Sequence, residues 1–194
     1  MTSDQLERKN GERGRLLAAR RAVPAAERAL DAAALAAGVL DVVAAFGVPA
    51  GGTVCAYLAV GSEPGSVELL DVLRAAGLRV LLPIVVGAAP LDWAEYTGEH
   101  ALRPGPHGLR EPTGAPLGAS ALAEAALVLV PALAVDGRGT RLGKGGGHYD
   151  RSLPLANAPL VAVVRDAEVV DELPAEPHDV RMTAVLTPTG LRLV

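Results

Sequence analysis

The chain is poor in aromatic residues and has almost no cysteine, and these shortages limit the kind of core and the kind of cysteine chemistry that it can have. Aromatic residues make up 3% of the 194 positions, so the core must be built from the aliphatic residues of a chain that is 50% hydrophobic. The single cysteine, Cys55, cannot form an intramolecular disulfide, and no metal-ligand cluster surrounds it in the sequence. We interpret Cys55 as a small buried hydrophobic residue on a strand.

Long apolar runs and an excess of positive charge are missing as well. No apolar run reaches the roughly 18 residues of a membrane-spanning helix, and the polar, charged start of the chain is unlike a signal peptide. The formal net charge is −4, which gives no general basic field for nucleic acid. We therefore expect a cytoplasmic monomer without a nucleic-acid or membrane partner.

The remaining pattern is an alternation of helical and strand-like segments. Residues 12–46 are rich in Ala and Leu, and Pro24 should divide them into two helices, because proline fits the start of a helix but not its interior. Ser66 and Gly77 are typical N-terminal and C-terminal caps of a further helix between them. Apolar segments predict strands at 53–60, 79–86, 91–96, 127–130, 160–165 and 182–186.

This order predicts an α/β fold in one domain, residues 1–194. Strands that alternate with helices favour a three-layer α/β/α arrangement around a mostly parallel, Rossmann-like sheet. Residues 97–118, rich in Gly and Pro, are expected to form an ordered loop. Ligands of such folds gather at the carboxyl ends of the strands.

The most distinctive segment follows the strand predicted at 127–130 and reads VPALAVDGRGTRLGKGGGHYDRSL. Arg141 and Lys144 place positive charge among glycines that let a ligand approach the backbone closely: Gly143, Gly145, Gly146 and Gly147. A bend with free N–H groups beside cations predicts a phosphate site. Its spacing fits neither the P-loop nor the dinucleotide-binding pattern.

The segment resembles the signature of the 5-formyltetrahydrofolate cyclo-ligase (methenyltetrahydrofolate synthetase) family, close to P-G-L-A-F-D-x-x-G-x-R-L-G-x-G-x-G-Y-Y-D-R. The matching residues are Pro131, Leu133, Ala134, Asp136, Gly139, Arg141, Leu142, Gly143, Gly145, Gly147, Tyr149, Asp150 and Arg151. His148 departs from the pattern, since it replaces the first tyrosine of a pair. Weaker matches are Lys9 with Arg13, Glu63, Glu111 with Pro112, and Asp179.

The resemblance implies an isomerase/CoA-transferase-like scaffold and an ATP- and Mg²⁺-dependent ligase. That enzyme would close 5-formyltetrahydrofolate to 5,10-methenyltetrahydrofolate through a phosphorylated formyl group and release ADP and phosphate. Arg141 and Lys144 are the implied catalytic cations. The implied ATP-binding residues are Lys9, Arg13, Arg141, Gly143, Lys144, Gly145, Gly146, Gly147 and Tyr149. The implied folate-binding residues are Glu63, Gly146, Gly147, His148 and Tyr149.

A metal is expected because Asp150 stands beside the phosphate site, where a carboxylate is repulsive unless a cation lies between. The family resemblance adds Asp179 as a second Mg²⁺ ligand. The segment with Glu111 and Pro112 either shapes the pocket wall or is purely structural.

Two other functions stay open. One is a sugar-phosphate isomerase or CoA transferase on the same scaffold, which would need its own base or a nucleophilic glutamate. The other is a folate- or nucleotide-binding module without turnover, which the departure at His148 favours.

Overall fold

The structure is a computed structural model and describes residues 3–176 and 179–194, without the side chains at 3–8 and 107. Within those residues the helices are α1 (Ser3–Ala22), α2 (Ala25–Ala45), α3 (Val67–Ala75) and α4 (His148–Ser152). The strands are β1 (Thr53–Cys55), β2 (Arg79–Ile84), β3 (Asp92–Glu95), β4 (Leu102–Pro104), β5 (Arg110–Pro112), β6 (Leu127–Pro131), β7 (Ala134–Asp136), β8 (Arg141–Leu142), β9 (Leu160–Val163), β10 (Val169–Val170), β11 (Ala184–Thr187) and β12 (Gly190–Leu193).

The N-terminal helical segment is confirmed, but it begins earlier than position 12. Pro24 lies between α1 and α2, and its φ of −59° suits the residue that precedes a helix. Helix α1 starts at Ser3 and contains Gly11 and Gly14, two residues that weaken an isolated helix. Contacts of α1 with the rest of the protein, described below, compensate for that weakness.

The capping residues predicted for α3 are confirmed. Ser66 Oγ accepts a hydrogen bond from the Leu69 backbone N–H at 3.3 Å, and Gly77 follows the helix with a φ of +80°. Leucines spaced along one face of α3 are buried against the sheet: Leu69, Leu70 and Leu73. Among the residues that the structure describes, no helix combines the length and apolarity needed to span a membrane.

The main sheet has seven strands in the order β12-β11-β9-β6-β1-β2-β3. The five central strands pair in parallel, while β3 and β12 pair antiparallel at the two edges. Each predicted strand is present, although several are shorter. Strand β1 ends at Cys55 rather than at position 60, because after one more bond from Ala56 N–H to Leu81 O the chain leaves the ladder and turns at Gly61.

Both faces of the sheet are covered, so the α/β prediction is confirmed. Helices α2 and α3 bury one face, where residues such as Leu35 and Leu70 meet the strands. Short elements cover the opposite face: α4 and the 3₁₀ turns Ala119–Glu124 and Leu153–Leu155. The third layer therefore consists of short segments rather than long helices.

Six of the described strands were not predicted from the sequence: β4, β5, β7, β8, β10 and β12. The hairpin β4–β5 interrupts the expected loop at 97–118, and β12 adds a C-terminal edge strand. Strands β7 and β8 form a hairpin within the signature segment, and β7 also pairs with β10, which completes a separate three-stranded sheet. Leu16 of α1 packs on this small sheet against Leu133 and Leu142, which explains how α1 is held.

Candidate active site

A cavity of about 200 Å³ lies at the carboxyl ends of β1, β2 and β6, as the α/β fold predicts. Its walls combine apolar residues that follow these strands with the signature segment. The apolar side includes Tyr57, Leu58, Leu82, Val85 and Ala132. The polar side contains Arg141, Lys144 and Glu63, and the four glycines of the segment also border the cavity. The arrangement suits a flat, largely apolar ligand that carries an anionic group.

Residues 143–147, here called the glycine loop, need glycine at two positions for conformational reasons. Gly145 has a φ of +98°, and Gly147 has a φ of +69° immediately before α4. At Gly143 a Cβ would lie 2.9 Å from an Arg141 guanidinium nitrogen, so a side chain there would displace that guanidinium. The loop therefore brings bare backbone to the cavity, which supports the prediction of a phosphate-binding bend.

Arg141 is the most enclosed cation of the site, with its side chain 6% exposed. It forms an ion pair with Asp150, donates to the Pro131 carbonyl at 3.4 Å, and lies 5.8 Å from the centre of the Tyr149 ring. Burial lowers the pKa of Arg141, and the Asp150 charge opposes that effect, so the guanidinium stays protonated at neutral pH. Arg141 therefore supplies a positive charge that is held in place and largely shielded from solvent.

Lys144 and Glu63 come together across the cavity, although 81 positions separate them in the chain. The Lys144 Nζ lies 2.7 Å from Glu63 Oε1, and Glu63 Oε2 accepts from the Val60 N–H at 2.8 Å. The Glu63 side chain is 13% exposed, whereas Lys144 is 47% exposed. The cation assigned to phosphate and the carboxylate assigned to folate thus form an ion pair with each other.

The two cations of α1 are placed differently. Arg13 Nε donates to the Gly143 carbonyl at 3.0 Å, so this residue does reach the glycine loop. Lys9 instead lies between Asp179, at 3.4 Å, and Glu176, at 3.5 Å, and it does not border the cavity. Its assignment to ATP, like that of Arg13, stays a prediction.

Asp150 and Asp179 border the same small cleft of about 20 Å³, next to Arg141. Asp150 already pairs with Arg141, and Asp179 accepts from the Glu176 N–H at 2.8 Å. Within residues 3–176 and 179–194 no three His, Cys, Asp or Glu side chains form a metal-binding group. Two carboxylates suit Mg²⁺ only when phosphate oxygens and waters complete its shell, so they fit a nucleotide-bound ion rather than a protein-only site.

Tyr149 and His148 begin α4 and border the cavity. The Tyr149 hydroxyl is buried without a hydrogen-bond partner among the described residues. Burial, with a further contribution from the Glu63 charge, raises the pKa of Tyr149 above its usual 10, so the phenol keeps its proton and is an unused donor. His148 Nδ1 lies 3.2 Å from Arg151 Nη2. At this position the imidazole of His148 stands where the family pattern has the hydroxyl-bearing ring of a tyrosine.

Glu111 supports the wall of the cavity rather than facing a ligand. Its side chain is buried, and Oε1 accepts from the N–H of Val85, which borders the cavity. The β4–β5 hairpin that carries Glu111 also brings Leu109 and Arg110 to the rim, and Arg110 pairs with Glu99 at 2.7 Å. Sequence reasoning missed both rim residues, because the hairpin was taken for a loop.

No cysteine chemistry is expected. Cys55 is fully buried on β1, as predicted, and burial raises the pKa of its thiol to about 12. The thiol is therefore uncharged at neutral pH and contacts the core.

The fold and the cavity define an α/β protein whose ligand site is apolar on one side and cationic on the other. Residues 5–188 match the model of the 5-formyltetrahydrofolate cyclo-ligase family. A 5-formyltetrahydrofolate cyclo-ligase of Mycolicibacterium smegmatis is 50% identical over 185 residues, 89% of this chain and 90% of the relative. One of Escherichia coli is 32% identical over 143 residues, 71% of this chain and 78% of the relative.

The NMR structure of Aquifex aeolicus 5,10-methenyltetrahydrofolate synthetase has a TM-score of 0.78 and 23% identity, and covers 95% of this chain and 92% of that one. This likeness supports the fold. The chain belongs to the 5-formyltetrahydrofolate cyclo-ligase family and is accordingly an enzyme of the ligase class.

Proposed function

We propose that the protein closes 5-formyltetrahydrofolate to 5,10-methenyltetrahydrofolate and consumes ATP, with ADP and phosphate as the other products. The observation that carries the proposal is one cavity in which a carboxylate, Glu63, faces two cations, Arg141 and Lys144, beside the glycine loop. The family and its named relatives support the same reaction. We also propose that residues 1–194 form one domain and act as a cytoplasmic monomer.

The substrate's chemistry matches the two sides of the cavity. A pterin ring is flat and offers N–H groups along its edge, which suit the carboxylate of Glu63 as acceptor. The apolar wall formed by Leu58, Leu82 and Val85 would cover the ring faces. The unpartnered Tyr149 hydroxyl can donate to a substrate oxygen. Lys144 would leave Glu63 and move to phosphate when both substrates are bound.

The reaction needs no nucleophile from the protein. The formyl oxygen attacks the γ-phosphorus and ADP leaves, which turns a poor leaving group into phosphate. The folate N10 then attacks the formyl carbon and loses its proton, and phosphate departs with the former formyl oxygen. The protein's contribution is to position the groups and to stabilise charge, and the buried guanidinium of Arg141 is preorganised for the second task.

Mg²⁺ fits this proposal as an ion shared with ATP. Asp150 and Asp179 would hold it together with phosphate oxygens, and the ion would neutralise charge on the transferring group. Substitution of Asp150 by Asn is expected to shift the Mg²⁺ titration of activity to higher concentration. An unchanged titration would remove Asp150 from the metal site.

The direct test follows the near-ultraviolet absorbance of methenyltetrahydrofolate in a mixture of purified protein, 5-formyltetrahydrofolate, Mg²⁺ and ATP. ATP-dependent growth of that band is the expected result. A flat trace with measurable folate binding would favour a module without turnover. A flat trace without folate binding would refute the proposal.

A further inference from the structure

Four ionisable residues form a cluster behind the cavity, and the mechanism above uses none of them. Arg20 comes from α1, Asp31 from α2, Arg165 from the end of β9, and Glu168 from the 3₁₀ turn Asp166–Glu168. Arg20, Arg165 and Glu168 are at most 7% exposed. Buried charges are costly unless paired, so a compact group of two cations and two anions indicates a specific task.

Glu168 joins the two guanidiniums. Its carboxylate accepts from Arg20 Nε at 2.7 Å and Nη2 at 2.6 Å, and Oε1 also accepts from Arg165 Nη1 at 3.5 Å. In addition, Oε2 accepts from the Arg165 backbone N–H at 2.9 Å. The Arg165 guanidinium is further held by Asp31, whose Oδ2 lies 2.7 Å from Nε. The planar guanidinium of Arg165 is thus fixed in orientation by the carboxylates of Asp31 and Glu168.

Both guanidiniums then donate to backbone carbonyls at the cavity wall or next to it. Arg165 Nη1 donates to the Ser62 carbonyl at 3.0 Å, one residue before Glu63. Arg20 Nη2 donates to the carbonyl of Ala132, which borders the cavity, at 2.8 Å. The cluster therefore contacts two separate segments of the wall without entering the cavity itself.

The segment around Glu63 needs such an anchor. Gly61 and Gly65 flank it with φ values of +64° and +111°, so its backbone is intrinsically permissive. Apart from its own turn and the ion pair of Glu63 with Lys144, the segment is held by the Tyr57 hydroxyl, which donates to the Pro64 carbonyl at 2.6 Å. The Arg165 contact fixes the other side of Glu63.

We propose that Arg165 is a positioning residue that sets the place of Glu63 for the folate substrate. The proposal rests on the proposed function, in which Glu63 contacts folate. Arginine is required because one side chain must reach Asp31, Glu168 and the Ser62 carbonyl together, and a lysine ammonium cannot span these acceptors.

The test compares Arg165→Lys with Arg192→Lys, a control in a half-exposed ion pair with Asp166. We expect Arg165→Lys to raise the folate KM about tenfold, as loss of a charged hydrogen bond does, with the ATP KM within about twofold of wild type. Hydrogen exchange of amides 60–65 should become faster in the same variant. Arg192→Lys should change neither readout.

A double-mutant cycle with Glu63→Gln separates positioning from general stability. If Arg165 acts through Glu63, adding Arg165→Lys to Glu63→Gln should raise the folate KM much less than it does in wild type. Full additivity, or an equal rise of the folate and ATP KM values, would overturn the proposal. Should Arg165→Lys not fold, Asp31→Asn removes one anchor of the guanidinium and is expected to give the same pattern to a smaller degree.

Hydrogen exchange keeps this inference distinct from the proposed function. If wild-type protein forms no methenyl product, the proposed function fails, and exchange at 60–65 still reports whether Arg165 holds the segment. If wild type turns over but the folate KM and the exchange of Arg165→Lys match wild type, the inference alone fails.

Discussion

Gly139, in the turn between β7 and β8, should be among the least replaceable glycines of the signature. Its φ is +75°, and a Cβ at this position would lie 2.4 Å from the backbone oxygen of Met182. The neighbour is backbone and cannot rotate away. Gly139 also accepts from the Met182 N–H at 2.8 Å and donates to the Asp136 carbonyl at 3.0 Å, so relief of the clash would strain both bonds.

The cost of Gly139→Ala has two parts. A left-handed backbone costs a residue with a Cβ about 1–2 kcal/mol. Forcing the hairpin away from Met182 adds about 1–3 kcal/mol, in line with overpacking elsewhere in proteins. The sum, about 2–5 kcal/mol, corresponds to a fall in Tm of about 4–20 °C for a chain of this size. Because the hairpin presents Arg141, activity should fall as well.

Gly47→Ala is the matched control. Gly47 follows α2 with a φ of +60°, and an added Cβ would meet nothing within 4 Å. Only the backbone term applies, so the free energy of unfolding should fall by about 1–2 kcal/mol. Urea unfolding of both variants, followed by circular dichroism, measures the difference. Equal losses in the two variants would refute the argument that contact with Met182 makes Gly139 necessary.

Two further predictions concern charged residues of the signature. Arg141→Ala should raise the ATP KM and lower kcat by about 10²–10³, because a preorganised charge is lost. Arg138→Ala, which removes an exposed ion pair with Glu172, is the control and should leave both constants unchanged. Unaltered ATP kinetics in Arg141→Ala would exclude Arg141 from binding ATP and from stabilising the transition state. Asp136 is buried, which by itself raises the pKa of its carboxyl, but N–H donors from Thr140, Leu173 and Arg138 lower that pKa below its usual range. Its stabilisation is therefore present above the unfolded pKa of about 3.9 and is lost as pH falls through the lower folded value. Asp136→Asn should lower the free energy of unfolding by about 2 kcal/mol at pH 7, and this difference from wild type should shrink below about pH 4. If urea unfolding gives the same difference at pH 7 and at pH 3, the prediction is wrong.

The large features of the fold could be predicted because they depend on local patterns. Pro24, Ser66 and Gly77 act on their own segments, and they end or begin helices where expected. The hairpins β4–β5 and β7–β8 were missed, because strands of two or three residues contain too few positions to show alternation. Their pairing depends on partners that only the folded chain supplies.

The candidate site, too, could be predicted only where its residues are neighbours in the sequence. The glycines and cations at 141–147 are contiguous, so the sequence alone indicated an anion-binding bend and the family. The roles of the individual residues remain predictions. Lys9, which the resemblance assigns to ATP, contacts Glu176 and Asp179 in the structure, and no local pattern predicted these contacts.

Neighbouring residues were enough to indicate the alternation of helices and strands, the glycine-rich cationic segment and the family. The folded chain was needed to show that Lys144 pairs with Glu63, and that Arg20 meets Glu168 behind the cavity wall, where Arg165 also contacts it. The Lys144–Glu63 and Arg20–Glu168 pairs join positions that lie far apart in the chain. Arg20 and Glu168 are also buried, and the low local dielectric makes pairing of their charges necessary. No local pattern specifies which distant charge each of these residues meets.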